Sequence, residues 1–300
     1  MKATAEPIPE AAAVRSGWWS IFSELVKLRL TTLVMLTTLV GFYLGERGPV
    51  NYGLLFHTLL GTALVACGAA ALNQLLEREL DAKMRRTEGR PLPSGRLQPD
   101  SVLIMGGLSA ILGLLYLAWM VNLLTSVLGA VTLGSYLFVY TPLKRVTTLN
   151  TVIGAIPGAL PPLMVWTASR DYIDAGGWSL FAILFFWQLP HFMAIAWMYR
   201  EDYARAGFRM LPVVDPEGVR TGRQTISHTL GLLAISLFPA VFGVVGTAYL
   251  IGALAASLWL LWHAIRFARD LSVARARKLF YASILYLPWL LGLMVLDKVK

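Results

Sequence analysis

The stretch Asn73-Gln-Leu-Leu-Glu-Arg-Glu-Leu-Asp-Ala-Lys-Met-Arg-Arg-Thr87, running on to Arg90-Pro-Leu-Pro-Ser-Gly95, follows directly on the apolar run 57–76. That run is long enough to cross a bilayer, which needs about 20 apolar residues. If its helix continues, Asn73, Glu77 and Asp81 fall at i, i+4 and i+8. Each four-residue step advances only about 40° beyond a full circle. The three oxygen-bearing side chains therefore share one face over roughly two turns. Behind them come Arg78, Lys83, Arg85, Arg86 and Arg90. Carboxylates and an amide beside cationic donors suit a Mg²⁺-diphosphate, the oxygens taking the metal and the basic groups the phosphoryl oxygens. The same residues also fit a solvated helix end whose charges pair along the surface and anchor at headgroups.

Working outward, the composition fixes the class. Of 300 residues 57% are hydrophobic and only 14% charged, with a mean hydropathy of +0.63, against roughly a quarter charged in a soluble domain. The chain reads as all-α and polytopic. Nine apolar spans are predicted, at 25–45, 54–76, 101–120, 122–141, 150–168, 178–199, 227–247, 249–267 and 279–297. Residues 1–19 carry no signal-peptide core and read as a flexible tail, and 20–300 as one transmembrane domain. The lone Cys67 excludes a disulfide within the chain. The net charge of +9 does not point to nucleic acid, because the basic residues sit at helix ends.

Lys and Arg set the orientation. Loops 78–100, 142–149, 200–226 and 266–278 hold six, two, five and five of them, whereas the opposite connections offer Arg47 and Arg170. The N-terminus is thus expected in the cytoplasm and the C-terminus outside, in the cytoplasmic (inner) membrane. Every chemically loaded loop then falls on the cytoplasmic face, as in a chamber open at one end.

A second charged segment, Tyr199-Arg-Glu-Asp-Tyr-Ala-Arg-Ala-Gly207, closes the sixth span as the first closes the second. Tyr199 and Asp202 share a face at i, i+3, and Asp202 is expected to supply the carboxylate for a second metal or for the opposite side of the same one, with Arg200 and Arg205 gripping phosphate. A polar helix cap is the plain alternative. Tyr140-Thr-Pro-Leu-Lys-Arg follows the fourth span; Pro142 is expected to end or kink it, leaving Lys144 and Arg145 at the same level. Pro157, Pro161 and Pro162 are expected to break the fifth helix beside a cavity. Gln188 and His191 lie inside the sixth span, where polar side chains usually face a cavity. His191 can ligate iron, meet a substrate carboxylate or serve as a bonded core histidine. His57, nearer a span end, is the weaker second candidate. HExxH, CxxC, Walker and GxSxG patterns are all absent from the sequence.

Asn73-x₃-Glu77-x₃-Asp81-x₂-Met84-x-Arg86-Thr87-x₂-Arg90-Pro91-Leu92, with Tyr199-x₂-Asp202-Tyr203-x₂-Ala206-Gly207-x₂-Met210-Leu211-Pro212, resembles the UbiA superfamily of intramembrane prenyltransferases. The Met-x-Arg-Thr extension, Tyr140-Thr-Pro-Leu-Lys-Arg and Pro190-His191-Phe192 are similar to the branch of it that farnesylates protohaem IX. The resemblance spans about 20–295. It implies nine helices around a central cavity and Mg²⁺-dependent use of farnesyl diphosphate on a vinyl group of haem B, giving haem O. The catalytic set is then Asn73, Glu77, Asp81, Asp202 and Tyr199, the first four as metal ligands. Lys83, Arg86, Arg90, Lys144, Arg145 and Arg200 bind diphosphate, and His191 or His57 binds haem. Haem A synthase is a further candidate partner. Two departures stand out: Met198 sits where the superfamily has an aspartate, and Glu77 where many members have Asp. A quinone-ring precursor as acceptor, and an organic-anion transporter with a charged vestibule, are the competing readings.

Overall fold

The computed structural model describes residues 17–299. Most of the tail expected over 1–19 lies outside the described residues; Trp18 and Trp19 already belong to a short helix, α1 (Trp18–Leu25). Then come α2 (Leu28–Gly45), α3 (Tyr52–Asp81), α4 (Pro99–Met120) and α5 (Leu123–Gly134). A π-helical turn (Ser135–Tyr140) and α6 (Thr141–Leu143) complete the span begun by α5. They are followed by α7 (Asn150–Arg170), α8 (Ala175–Met198), α9 (Arg200–Arg205), α10 (Leu211–Val214), α11 (Val219–Ser236), α12 (Phe238–Val241), α13 (Thr247–Asp270) and α14 (Val273–Leu296). Nine spans among the described residues are long and apolar enough to cross a membrane, in the order expected. The only β pairing among those residues is an isolated bridge between Val245 and Lys298. The chain is an all-α, multi-pass membrane protein.

The helices form a ring of neighbours. α2 packs on α3 and α7, α3 on α4, α5 on α7, α7 on α8, α8 on α11 and α14, and α13 on α11 and α14. α7 and α8 are the most enclosed, buried along most of their length. α4 instead turns Leu108, Ile111, Leu112 and Leu115 outward, a face suited to lipid. The α3–α4 seam depends on small residues: a Cβ at Gly68 would stand 2.7 Å from the Gly106 carbonyl oxygen, so only glycine lets the backbones meet there.

Three local features position the site. First, α3 has 30 residues, about 45 Å at 1.5 Å per residue, against a hydrocarbon core of about 30 Å. Its last turns must emerge at polar depth, and they carry Asn73, Glu77 and Asp81. Second, the fourth span widens into the π turn just before Pro142, which has no N–H to give. Third, α7 runs unbroken through Pro157, Pro161 and Pro162, contrary to the expected break. Each proline removes one donor, but neighbouring helices hold the segment in place, and Pro157, Gly158 and Pro161 face a cavity.

Candidate active site

α2, α3, the fourth span, α7 and α8 enclose a cavity of about 530 Å³, within the usual range for small-molecule sites. Its body is apolar, lined by Val65, Leu133, Met164, Leu184 and Trp187 among others. Charge gathers at the end where α3 finishes. Asn73, Glu77 and Asp81 are all buried, 1%, 4% and 1% exposed, and all three line the cavity. The one-face arithmetic holds because α3 continues without a break to Asp81, where Thr87 Oγ1 donates to the last carbonyl at 2.9 Å.

Each of the three has a cationic partner. Arg90 donates to Asp81 Oδ2 at 2.7 Å and Lys144 to Glu77 Oε1 at 2.6 Å. Lys27 donates to Asn73 Oδ1 at 2.7 Å, and the Asn73 amide donates to Thr141 Oγ1 at 3.2 Å. The Lys144 ammonium also stands 4.5 Å from the centre of the Tyr140 ring. Arg86 lies 5.3 and 5.7 Å from the Tyr199 and Tyr203 rings and donates to the Tyr203 hydroxyl at 3.3 Å. For Lys144, burial works against the ammonium, but Tyr140 and the Glu77 carboxylate more than offset it and raise its pKa. Lys27 goes the other way: burial, helped by the nearby charges of Arg90 and Lys144, pulls it down to about 7.

Lys27 is the residue that sequence reasoning missed. It sits between α1 and α2 with φ of +50°, a left-handed position unusual for a lysine. Gln74 on α3 pins that joint by donating to the Glu24 and Leu25 carbonyls, both at 2.8 Å. Lys27 is 46 residues from Asn73, so no spacing pattern links them. The one available signal was a lysine at the head of an apolar span. Tyr136, Tyr140, Phe208 and Met210 also line the cavity.

The remaining expected residues separate. His191 lines the cavity on α8. From the second charged segment the cavity receives Tyr203 but not Asp202, Tyr199 or Arg200. Asp202 pairs with Arg205 on its own helix, Arg200 lies over the Trp197 ring at 4.6 Å, and Tyr199 is 40% exposed. Lys83 and Arg145 are exposed and do not line the cavity. His57 bonds Tyr116 at 2.7 Å near the far end of α3, 16 residues or about 24 Å before Asn73.

Among the described residues no three His, Cys, Asp or Glu side chains gather into a metal cluster. Two carboxylates and one amide on a helix face are nonetheless the right donors for Mg²⁺. That ion binds through one or two carboxylates, waters and substrate phosphates rather than a full protein cage.

Residues 34–287 match the sequence profile of the UbiA prenyltransferase family. The chain is 48% identical over 286 residues to the protoheme IX farnesyltransferase of Solibacter usitatus, covering 92% of this chain and 98% of that one. Its fold is similar to that of digeranylgeranylglyceryl phosphate synthase, with a TM-score of 0.78, 14% identity, and 93% and 98% of the two chains covered. It is also similar to a UbiA homologue from Archaeoglobus fulgidus bound to GPP and Mg²⁺, with a TM-score of 0.64, 15% identity, and 91% and 99% covered.

Proposed function

The chain belongs to the UbiA prenyltransferase family, and from that premise we propose that it transfers a farnesyl group from farnesyl diphosphate to a vinyl group of protohaem IX, giving haem O. The observation that carries this reading is the 48% identity, over nearly the full length of both chains, to a protoheme IX farnesyltransferase. The cavity supports it: an apolar body for a prenyl chain ends in a mouth where two carboxylates, an amide and four basic side chains converge.

Asn73, Glu77 and Asp81 would hold Mg²⁺, which supplies positive charge against the diphosphate oxygens. Arg90 and Lys144 would then turn from their carboxylates toward the phosphoryl oxygens, joined by Lys27 from Asn73 and Arg86 from Tyr203. As the allylic C–O bond breaks, the diphosphate leaves with the electron pair, and these fixed cations stabilise the charge it gains. The apolar walls keep water from the farnesyl cation until the vinyl π electrons form the new C–C bond. Water then adds to the resulting cation and loses a proton. His191 is the proposed haem contact, since it lines the same cavity. Asp202, Arg200, Arg145 and Lys83 belong to the rim in this reading. By the Lys and Arg distribution, the mouth opens to the cytoplasm, in the inner membrane.

The test is direct. Purified protein with haem B, farnesyl diphosphate and Mg²⁺ should give haem carrying a hydroxyethylfarnesyl group by mass, and no product when Mg²⁺ is chelated. Inertness toward haem together with prenylation of a quinone-ring precursor would overturn the acceptor. Transport of the diphosphate without its cleavage would overturn the enzyme class.

A further inference from the structure

Trp187 and His191 stand one turn apart on α8, and both reach the same residue of α14. Trp187 Nε1 donates to the Ser283 carbonyl at 2.8 Å, and His191 Nδ1 lies 2.8 Å from Ser283 Oγ. Ser283 is fully buried, and its hydroxyl donates to the Phe280 carbonyl at 2.7 Å. A hydroxyl has one hydrogen. With that hydrogen given to Phe280, Oγ can only accept from the imidazole. Nδ1 therefore carries the ring proton and Nε2 the lone pair.

The ring plane is held as firmly as the tautomer. Trp187 stacks on one side with centroids 5.1 Å apart and planes 20° off parallel; Phe280 stacks at 4.9 Å and 28°. His191 makes no other hydrogen bond among the described residues, and it lines the cavity. His191 is thus bonded at Nδ1 alone, which leaves Nε2 free for a ligand.

We infer that Ser283 is a positioning residue that presents His191 Nε2, lone pair outward, to the iron of the haem substrate. The inference rests on the reading of haem as the acceptor. A second group that fixes tautomer and orientation is the usual support for an imidazole that meets a metal. Iron ligation would hold the porphyrin in place while its vinyl group waits for the farnesyl cation.

Two measurements test it, one without haem. In the full-length protein labelled with ¹⁵N-histidine, the resonance assigned by its loss in His191→Gln should show Nδ1 protonated and Nε2 bare; the reverse tautomer overturns the role of Ser283. In haem B titrations, the wild type should give the absorption and electron-paramagnetic signature of imidazole-ligated iron, and His191→Ala should lose it. Ser283→Ala should bind haem about tenfold more weakly and Ser283→Thr should recover, with farnesyl diphosphate binding unchanged in both. Loss of the signature in His191→Ala alongside wild-type haem affinity in Ser283→Ala overturns the positioning role and leaves the haem reading standing. Failure of the wild type to bind haem overturns the acceptor reading on which the inference rests.

Discussion

The ends of α3 and α8 look alike in sequence and behave differently in space. Each closes an apolar span with carboxylates and arginines at helical spacing. At the first, Asn73, Glu77 and Asp81 all enter the cavity. At the second, α8 stops at Met198, Tyr199 leaves helical geometry with φ −114° and ψ 23°, and α9 starts afresh at Arg200. A break between helices resets the phase, so a face counted from inside α8 does not reach Asp202. What enters from that side is Tyr203 on α9 itself, with Phe208 and Met210 on the turn after it. That turn is fixed by Arg209 N donating to the Lys144 carbonyl at 2.7 Å and by the Asn150 amide donating to the Arg209 carbonyl at 3.0 Å. Spacing predicts a shared face only where one helix carries all of it.

The sharpest way to break this contrast is to neutralise one carboxylate at a time. Asp81→Asn and Glu77→Gln should each lower farnesyl transfer by about 10² to 10³, the scale of losing one electrostatic contact to a developing charge. Asp202→Asn, whose partner is the neighbouring Arg205, should stay within about fivefold. Haem O measured in membranes with matched protein levels decides it. An Asp202→Asn loss equal to that of Asp81→Asn would place Asp202 on the metal, as the motif alone suggested.

Stability should split in the same direction. The Lys144–Glu77 pair is nearly enclosed on both sides, with side chains 12% and 6% exposed, whereas the Arg205–Asp202 pair is enclosed only at Asp202, 12% exposed, and opens to solvent at Arg205, 42% exposed. Removing one partner of a buried pair leaves an uncompensated charge, typically a loss of about 3–5 kcal/mol; an exposed pair contributes about 0–1 kcal/mol. Lys144→Gln should therefore lower Tm in detergent far more than Arg205→Gln, and Glu77→Gln added to Lys144→Gln should restore most of it. A double variant no better than the single would mean Lys144 holds the site through its contacts with Tyr140 rather than through Glu77.

What the sequence disclosed follows the same line. Order and number of spans were legible, because apolar length alone decides them. The first carboxylate face was legible because α3 continues to Asp81. The start of α11 at Val219, rather than the expected 227, was hidden because Arg220, Thr221, Arg223 and Thr225 lower its hydropathy, although Thr221 and Thr225 are buried. The continuity of α7 was hidden because proline signals a lost donor and says nothing of the neighbours that hold the helix. Lys27 was hidden by sequence distance, and it supplies the next test. Lys27→Ala should raise KM for farnesyl diphosphate about tenfold or more, the scale of a hydrogen bond to a charged group, and leave haem affinity unchanged. An unaltered KM would confine Lys27 to tying α2 onto Asn73.

The smallest contrast lies within the second segment itself. Arg86 has a ring face on both Tyr199 and Tyr203, but donates a hydrogen bond only to the Tyr203 hydroxyl. Replacing tyrosine by phenylalanine keeps each ring and removes each oxygen, so it isolates that bond. A hydrogen bond of this kind is worth about 1 kcal/mol, or roughly fivefold. Tyr203→Phe should let Arg86 wander and weaken diphosphate binding by about that factor. Tyr199→Phe, at a 40% exposed position, should change nothing measurable. If the two are equally impaired, Tyr199 acts through its hydroxyl at the mouth of the cavity, and the break after α8 separates the two tyrosines less than their positions indicate.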